Sequence, residues 1–155
     1  LDTTPPVFSD ISVSSDNTFR PGPITGEEEE AVLAKLGDTI TVSFTATDLN
    51  SSGVETVSAS LGGQTMTPAI DNQVLDYTFT YVVADSVISD GEALLQFSAT
   101  DSAGNLTYWS STKWVTIDST PPIAQTNAQP SLARVGNALV YQATLLKSTQ
   151  TKWSS

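Results

Sequence analysis

The chain has 155 residues, 39% of them hydrophobic, which is enough for one well-cored domain and too apolar for a chain disordered throughout. Six Lys and Arg against 17 Asp and Glu give a net charge of −11, and there is no Cys and no His. That composition argues against nucleic acid and anionic membrane surfaces, whose capture needs basic side chains, and against disulfides, Cys/His metal sites and His-based catalysis. No run approaches ~18 consecutive apolar residues, so no membrane insertion is expected. A hard divalent cation is the counter-charge that such a surface suits.

In chain order, short alternating runs punctuated by turn residues give an all-β pattern. A weaker run covers Val7–Val13. Thr25 to Gly37 then reads two ways. A Thr cap, an acidic first turn and a closing Gly predict a short helix near 26–36, whereas Ala31–Leu36 also reads as an edge strand. The run Glu27–Glu30 is read as a solvated face.

Thr39–Thr47 sets Ile40, Val42, Phe44 and Ala46 on one face and Ser/Thr on the other. Val74–Val83 does the same with Leu75, Tyr77, Phe79, Tyr81 and Val83, and Ala93–Thr100 with Ala93, Leu95, Phe97 and Ala99. Weaker strands are expected at Val54–Leu61 and Thr112–Ile117, where Val115 and Ile117 face the core and Trp114, of opposite parity, faces out. Gly, Asn, Asp and Ser mark turns at Asp48–Gly53, Gly62-Gly63, Asp71-Asn72, Asp90-Gly91 and Asp101–Asn105.

The chain also repeats itself. Asp2-Thr3-Thr4-Pro5-Pro6 returns as Asp118-Ser119-Thr120-Pro121-Pro122, an offset of 116, and Gly37-Asp38-Thr39-Ile40 is echoed by Gly136-Asn137-Ala138-Leu139, an offset of 99. In the second register Ile40, Val42, Phe44 and Ala46 become Leu139, Tyr141, Ala143 and Leu145, and the alternation survives. The difference is an insertion in the first copy around Arg20–Glu30. A tandem array is implied, with residues 119–155 as the start of a second, truncated unit.

The strings Asp2-Thr3-Thr4-Pro5-Pro6, Gly37-Asp38-Thr39-Ile40-Thr41-Val42, Ser52-Gly53-Val54-Glu55-Thr56-Val57 and Ala99-Thr100-Asp101-Ser102-Ala103-Gly104-Asn105-Leu106-Thr107 resemble the bacterial immunoglobulin-like (Big-type) repeats of extracellular adhesins and modular secreted proteins. The likeness covers residues 1–118, and the Arg20–Glu30 insertion departs from it. It implies an immunoglobulin-like β-sandwich of about seven strands over 1–118. It also implies spacer, stalk or adhesive duty at the cell surface or outside the cell, with neighbouring repeats of the same chain as partners. Some members of the family bind calcium between domains. A chain that opens at Leu1 without a signal peptide is then expected to be a piece of a longer exported protein.

Two site hypotheses follow. In an immunoglobulin-like topology the first strand starts at the pole that carries the B–C and F–G loops. Asp2, Asp48, Asp101 and Asn105 would converge there as oxygen ligands for calcium, no other cofactor being expected. The competing reading is that Asp and Asn are simply turn formers. In the second copy Lys147 stands where Asp48 would be, so the same site is not expected there.

Secondly, Tyr108, Trp109 and Trp114 lie close in sequence. Trp109 and Trp114 could form an exposed aromatic platform for a surface glycan or receptor, which makes a carbohydrate-binding or ligand-binding module the alternative function. No residue set activates a Ser, Thr or acid for catalysis, so the chain is read as not an enzyme.

Overall fold

The protein was analysed as a computed structural model that describes residues 1–49, 52–69, 75–85, 87–125 and 144–145. The chain divides into two units, Leu1–Ser119 and Thr120–Ser155. The turn expected at Asp71-Asn72, the start of the run at Val74 and the second-copy residues Gly136, Leu139, Tyr141, Ala143 and Lys147 lie outside the described residues.

The first unit is all-β. Its strands are β1 (Val7–Ser15), β2 (Val32–Ala34), β3 (Thr39–Thr47), β4 (Val54–Leu61), β5 (Gln64–Thr65), β6 (Thr67–Pro68), β7 (Asp76–Val82), β8 (Gly91–Asp101) and β9 (Leu106–Ile117). They form a four-stranded sheet, β1-β3-β7-β6, and a five-stranded sheet, β2-β9-β8-β4-β5. All pairs are antiparallel except β2 with β9. The alternation in sequence explains the arrangement, because each sheet has one apolar face and buries it on the other sheet.

Within β3 the side chains of Ile40, Val42, Phe44 and Ala46 are buried, and Ala93, Leu95, Phe97 and Ala99 of β8 answer them. Phe44 and Phe97 stack between the sheets with ring centroids 4.2 Å apart. Phe79 and Phe8 close on Phe44 at 5.8 and 5.3 Å, and Trp109 stacks on Phe97 at 4.7 Å. Tyr77 and Tyr81 pack on this core half-buried, while Leu75 lies before β7, exposed, with φ at 77°.

No helix occurs among the described residues, which corrects the helical reading of 26–36. Thr25 does use a carboxylate as a helix cap would: its N–H and hydroxyl donate to Glu29, at 3.3 and 3.1 Å. A turn follows, and then Val32–Ala34 extends beside β9, pairing Val32 with Val115 and Ala34 with Ile117. Val32 and Ala34 are fully buried there. An isolated short helix gains too few hydrogen bonds to offset its nucleation, so burial of two apolar side chains on an existing sheet prevails. Glu27–Glu30 are exposed, as expected of a solvated run.

The insertion closes one side of the unit. Ile24 bridges Val13 of β1, and the Arg20 carbonyl accepts the N–H of Leu33 in β2. Gly22 makes this possible. At φ 77°, a Cβ there would sit 2.8 Å from Val32 Cγ1 and 2.9 Å from the Val13 carbonyl oxygen.

In the second unit β10 (Ala124–Gln125) pairs antiparallel with β11 (Thr144–Leu145), matching Ala124 with Leu145 and Gln125 with Thr144. In the first unit Phe8 pairs with Ala46 and Ser9 with Thr45. Shifting Phe8 and Ser9 by the first sequence offset, and Ala46 and Thr45 by the second, lands on those same four residues of the second unit.

The central stack sets a stability prediction. Phe97→Ala should cost about 3–5 kcal/mol in urea unfolding, whereas Val82→Ala, on the outer face of β7, should stay within about 0.5 kcal/mol. Similar midpoints for the two variants would contradict the core described here.

Candidate functional site

The pole where β3 and β8 end carries most of the acids singled out in the sequence. Asp2 precedes the first strand, and its Oδ1 accepts the N–H of Thr4 at 2.9 Å, a side-chain turn that leads into Pro5-Pro6. Asp48 follows β3, and its Oδ2 accepts the N–H of Gly53 and the Ser52 hydroxyl, both at 2.8 Å. The same Ser52 oxygen lies 2.6 Å from Asp2 Oδ2. Asp101 ends β8 with 2% of its surface exposed. Its Oδ1 accepts the N–H groups of Ala103 and Asn105 at 2.9 and 2.8 Å, and its Oδ2 accepts the Asn105 amide at 2.8 Å.

One carboxylate oxygen from each of Asp2, Asp48 and Asp101 lies within 4.8 Å of the others. Two oxygens on opposite sides of a calcium ion at 2.3–2.6 Å are about 4.6–5.2 Å apart, so the three span one coordination sphere. Carboxylate charges this close repel one another, and a cation seated among them would relieve that repulsion. The single Ser52 proton serves one of its two carboxylate neighbours at a time. Asn105, expected as a fourth ligand, turns its amide N–H groups to Asp101 and to the Asp2 carbonyl oxygen, at 2.8 and 3.1 Å. In this arrangement it positions the carboxylates. Ser52 is the residue that sequence reading passed over, since a Ser before Gly53 looks like ordinary turn chemistry.

Burial pushes the Asp101 carboxyl up. The Asn105 side chain and the backbone N–H groups of Asn105, Ala103 and Gly104 outweigh it and hold the carboxyl below the ordinary carboxylate value. Asp38, at the opposite pole, shows the same balance. Burial raises it, while the Asn17 amide, the Lys35 backbone and the Lys35 ammonium lower it. Asn17 Nδ2 donates to Asp38 Oδ2 at 2.7 Å, and Lys35 Nζ lies 3.4 Å from Asp38 Oδ1. Lys35 is 61% exposed and Asp38 is held ionised, so the trio works as a polar anchor for the turn.

The aromatic expectation is corrected. Between the pairs Leu95↔Ser111 and Ala93↔Val115 the ladder shifts, with Leu94 alone on β8 facing Thr112, Lys113 and Trp114 on β9. This bulge breaks the parity rule locally, so Trp114 and Val115 are both buried, Trp114 at 4% exposure. Trp114 meets Trp109 edge-on, at 5.5 Å and 79°, and the two rings form no common plane. Of these three aromatic residues Tyr108 is the one that remains outside, 63% exposed.

No family model matches the sequence, and no curated protein does.

The two depressed carboxyls bind protons less readily in the folded chain than in the unfolded one. Their contribution to stability is therefore complete above the ordinary carboxylate range, near pH 4, and is lost as the pH falls through the lower folded values. The melting temperature should hold steady from about pH 7 to about pH 5 and drop below about pH 4. Asp101→Asn should flatten that acid drop in pH-scanned melting curves; an unchanged slope would remove Asp101 as a source.

Proposed function

We propose that the chain is a non-catalytic, extracellular structural module of a bacterial surface or secreted protein. In this reading Leu1–Ser119 is an immunoglobulin-like repeat that spaces or presents an adhesive partner, and Thr120–Ser155 begins the next repeat. The observation that carries it is the recurrence of the β1–β3 register, Phe8↔Ala46 and Ser9↔Thr45, as Ala124↔Leu145 and Gln125↔Thr144. A sequence repeat that keeps its cross-strand pairing is what a tandem array requires.

Topology supports the immunoglobulin-like reading. Taken as A, B, E and D, strands β1, β3, β7 and β6 follow the order of one sheet of that fold, and β9, β8 and β4 follow the G, F and C strands of the other. The path of the chain supports the spacer reading. The unit enters at the Asp2 pole, where Asn105 touches the Asp2 backbone, and β9 then runs from Leu106 to Ile117 toward the other end. The acidic surface of a tandem array would keep it soluble and self-repelling.

Strands at the two termini leave from opposite poles, so a pull on the ends loads the β1–β3 and β2–β9 ladders in shear, many hydrogen bonds at once. In a polyprotein stretched between its ends, each Leu1–Ser119 copy should unfold in one sharp event. The force should exceed that needed when the same copies are pulled across β4 and β5, where bonds open one after another. Equal forces in the two geometries would remove the spacer reading.

Within this proposal Asp2, Asp48 and Asp101 hold calcium, with backbone oxygens and water completing the sphere. Melting should rise when excess Ca²⁺ replaces EDTA, by an amount that grows with the free ion, and Asp48→Asn should blunt the rise. Superimposed curves with and without Ca²⁺ would exclude the ion. A glycan platform on Trp109 and Trp114 has no supporting observation, because Trp114 belongs to the core.

A further inference from the structure

The lateral edges of the two sheets are unequally protected. In the four-stranded sheet, β6 is two residues long and ends in Pro68, while β1 breaks its ladder between Ser9 and Ser12, with Asp10 at φ 52°. In the five-stranded sheet, β5 is two residues long and follows Gly62-Gly63, and β2 is three residues long with its Leu33 N–H already given to Arg20. Short strands, proline, bulges and covering segments are the means by which sheets avoid unwanted edge pairing.

One stretch has none of these. β9 is 12 residues long, yet β2 pairs only with Val115, Thr116 and Ile117. Alongside Leu106–Ser111 lies β8 on one side, and no described strand pairs with the other side. The stretch Leu106-Thr107-Tyr108-Trp109-Ser110-Ser111 carries no charge, no Pro and no Gly, in a chain of net charge −11. Its outward side chains include Tyr108 at 63% and Leu106 at 46% exposure. At Ser111 the insertion reaches it, since the Ser111 hydroxyl donates to Glu27. Among the described residues the open edge is therefore Leu106–Ser110.

We propose that this edge is a self-association site, where Leu106–Ser110 pairs antiparallel with the same residues of a second copy about a two-fold axis at Tyr108. Two five-stranded sheets then join edge to edge. Charge argues for a second copy as the occupant. Two molecules at −11 can meet closely only through a neutral stretch, and this one is neutral along its length. The pairing sets Tyr108 against Tyr108, Leu106 against Ser110 and Thr107 against Trp109, with an aromatic pair at the centre and no carboxylate facing another across the ladder. A five-residue edge buries little area, so the dimer is concentration-dependent, and salt strengthens it by screening the repulsion of the two acidic bodies.

Sedimentation velocity of the 155-residue chain over a range of concentration and salt tests this, together with amide hydrogen exchange. The expected result is a monomer–dimer equilibrium that salt shifts toward dimer, with slower exchange at Leu106–Ser110 as dimer forms. Tyr108→Lys sets two like charges against each other and should weaken the dimer by about tenfold or more. Ser98→Lys, one strand inward on the same face, should leave it unchanged. Should Tyr108→Lys fail to fold, Ser110→Lys gives a second test, since it sets a charged side chain against Leu106 of the other copy and should also weaken the dimer. A monomer at all concentrations and salts, a dimer whose Leu106–Ser110 amides exchange as before, or a dimer that survives both lysines would overturn the proposal.

Discussion

The stack of Phe44 on Phe97 is the tightest ring contact between the two sheets among the described residues, and much else in the unit follows from it. Phe44 belongs to β3 and Phe97 to β8, strands with neighbours on both sides in their sheets. Because side chains alternate along a strand, fixing these two rings inward fixes every second residue on both strands. Ala46 and Ala99 come next on the inward side, and the step after each is Asp48 or Asp101. The two strands end at the same pole, so the inward pleat that builds the core also brings two carboxylates together above it. The acidic cluster is the end of the core alternation, and the N-terminal turn at Asp2 supplies its third member.

That dependence explains why the cluster was legible in the sequence. Strand alternation located Thr39–Thr47 and Val54–Leu61 at their observed bounds, and the turns after β3 and β8 follow from Asp, Ser and Gly chemistry. Fold geometry then places Asp2 beside them. Asn105 was harder, because a carboxamide offers both a donor and an acceptor, and only its neighbours decide which is turned to the acids. Here Asp101 Oδ2 and the Asp2 carbonyl oxygen both need a donor, and the N–H groups serve them.

The misread positions share one physical cause. At Thr25–Gly37 and at Trp114, local pattern competes with a surface that exists only after folding. Thr25 and Glu29 satisfy each other as a cap would, yet the β9 edge at Val115–Ile117 offers Val32 and Ala34 complete burial. Trp114 has the wrong parity for the core until the bulge at Thr112–Trp114 turns it inward against Trp109. Neither the free edge nor the bulge has a signature within its own short window. The edge lies on β9, far from Val32 in sequence, and the bulge is set by how β8 pairs with β9.

The recurrence of register in the second unit is stronger than the recurrence of residues. Its opening repeats Asp, Thr and two Pro, but Phe8 and Ala46 of the first pairing become Ala124 and Leu145 of the second, so the larger residue changes strand. A pairing copied only through sequence identity would not outlast that exchange. One residue of each pair is large and the other is Ala, so the register recurs while both identities change. What recurs is thus the alignment of two strands, at sequence offsets that differ by the length of the insertion around Arg20–Glu30. An insertion confined to a connection is free to take on other work. In the first unit it crosses from Val13 to Leu33 and closes one side of that unit.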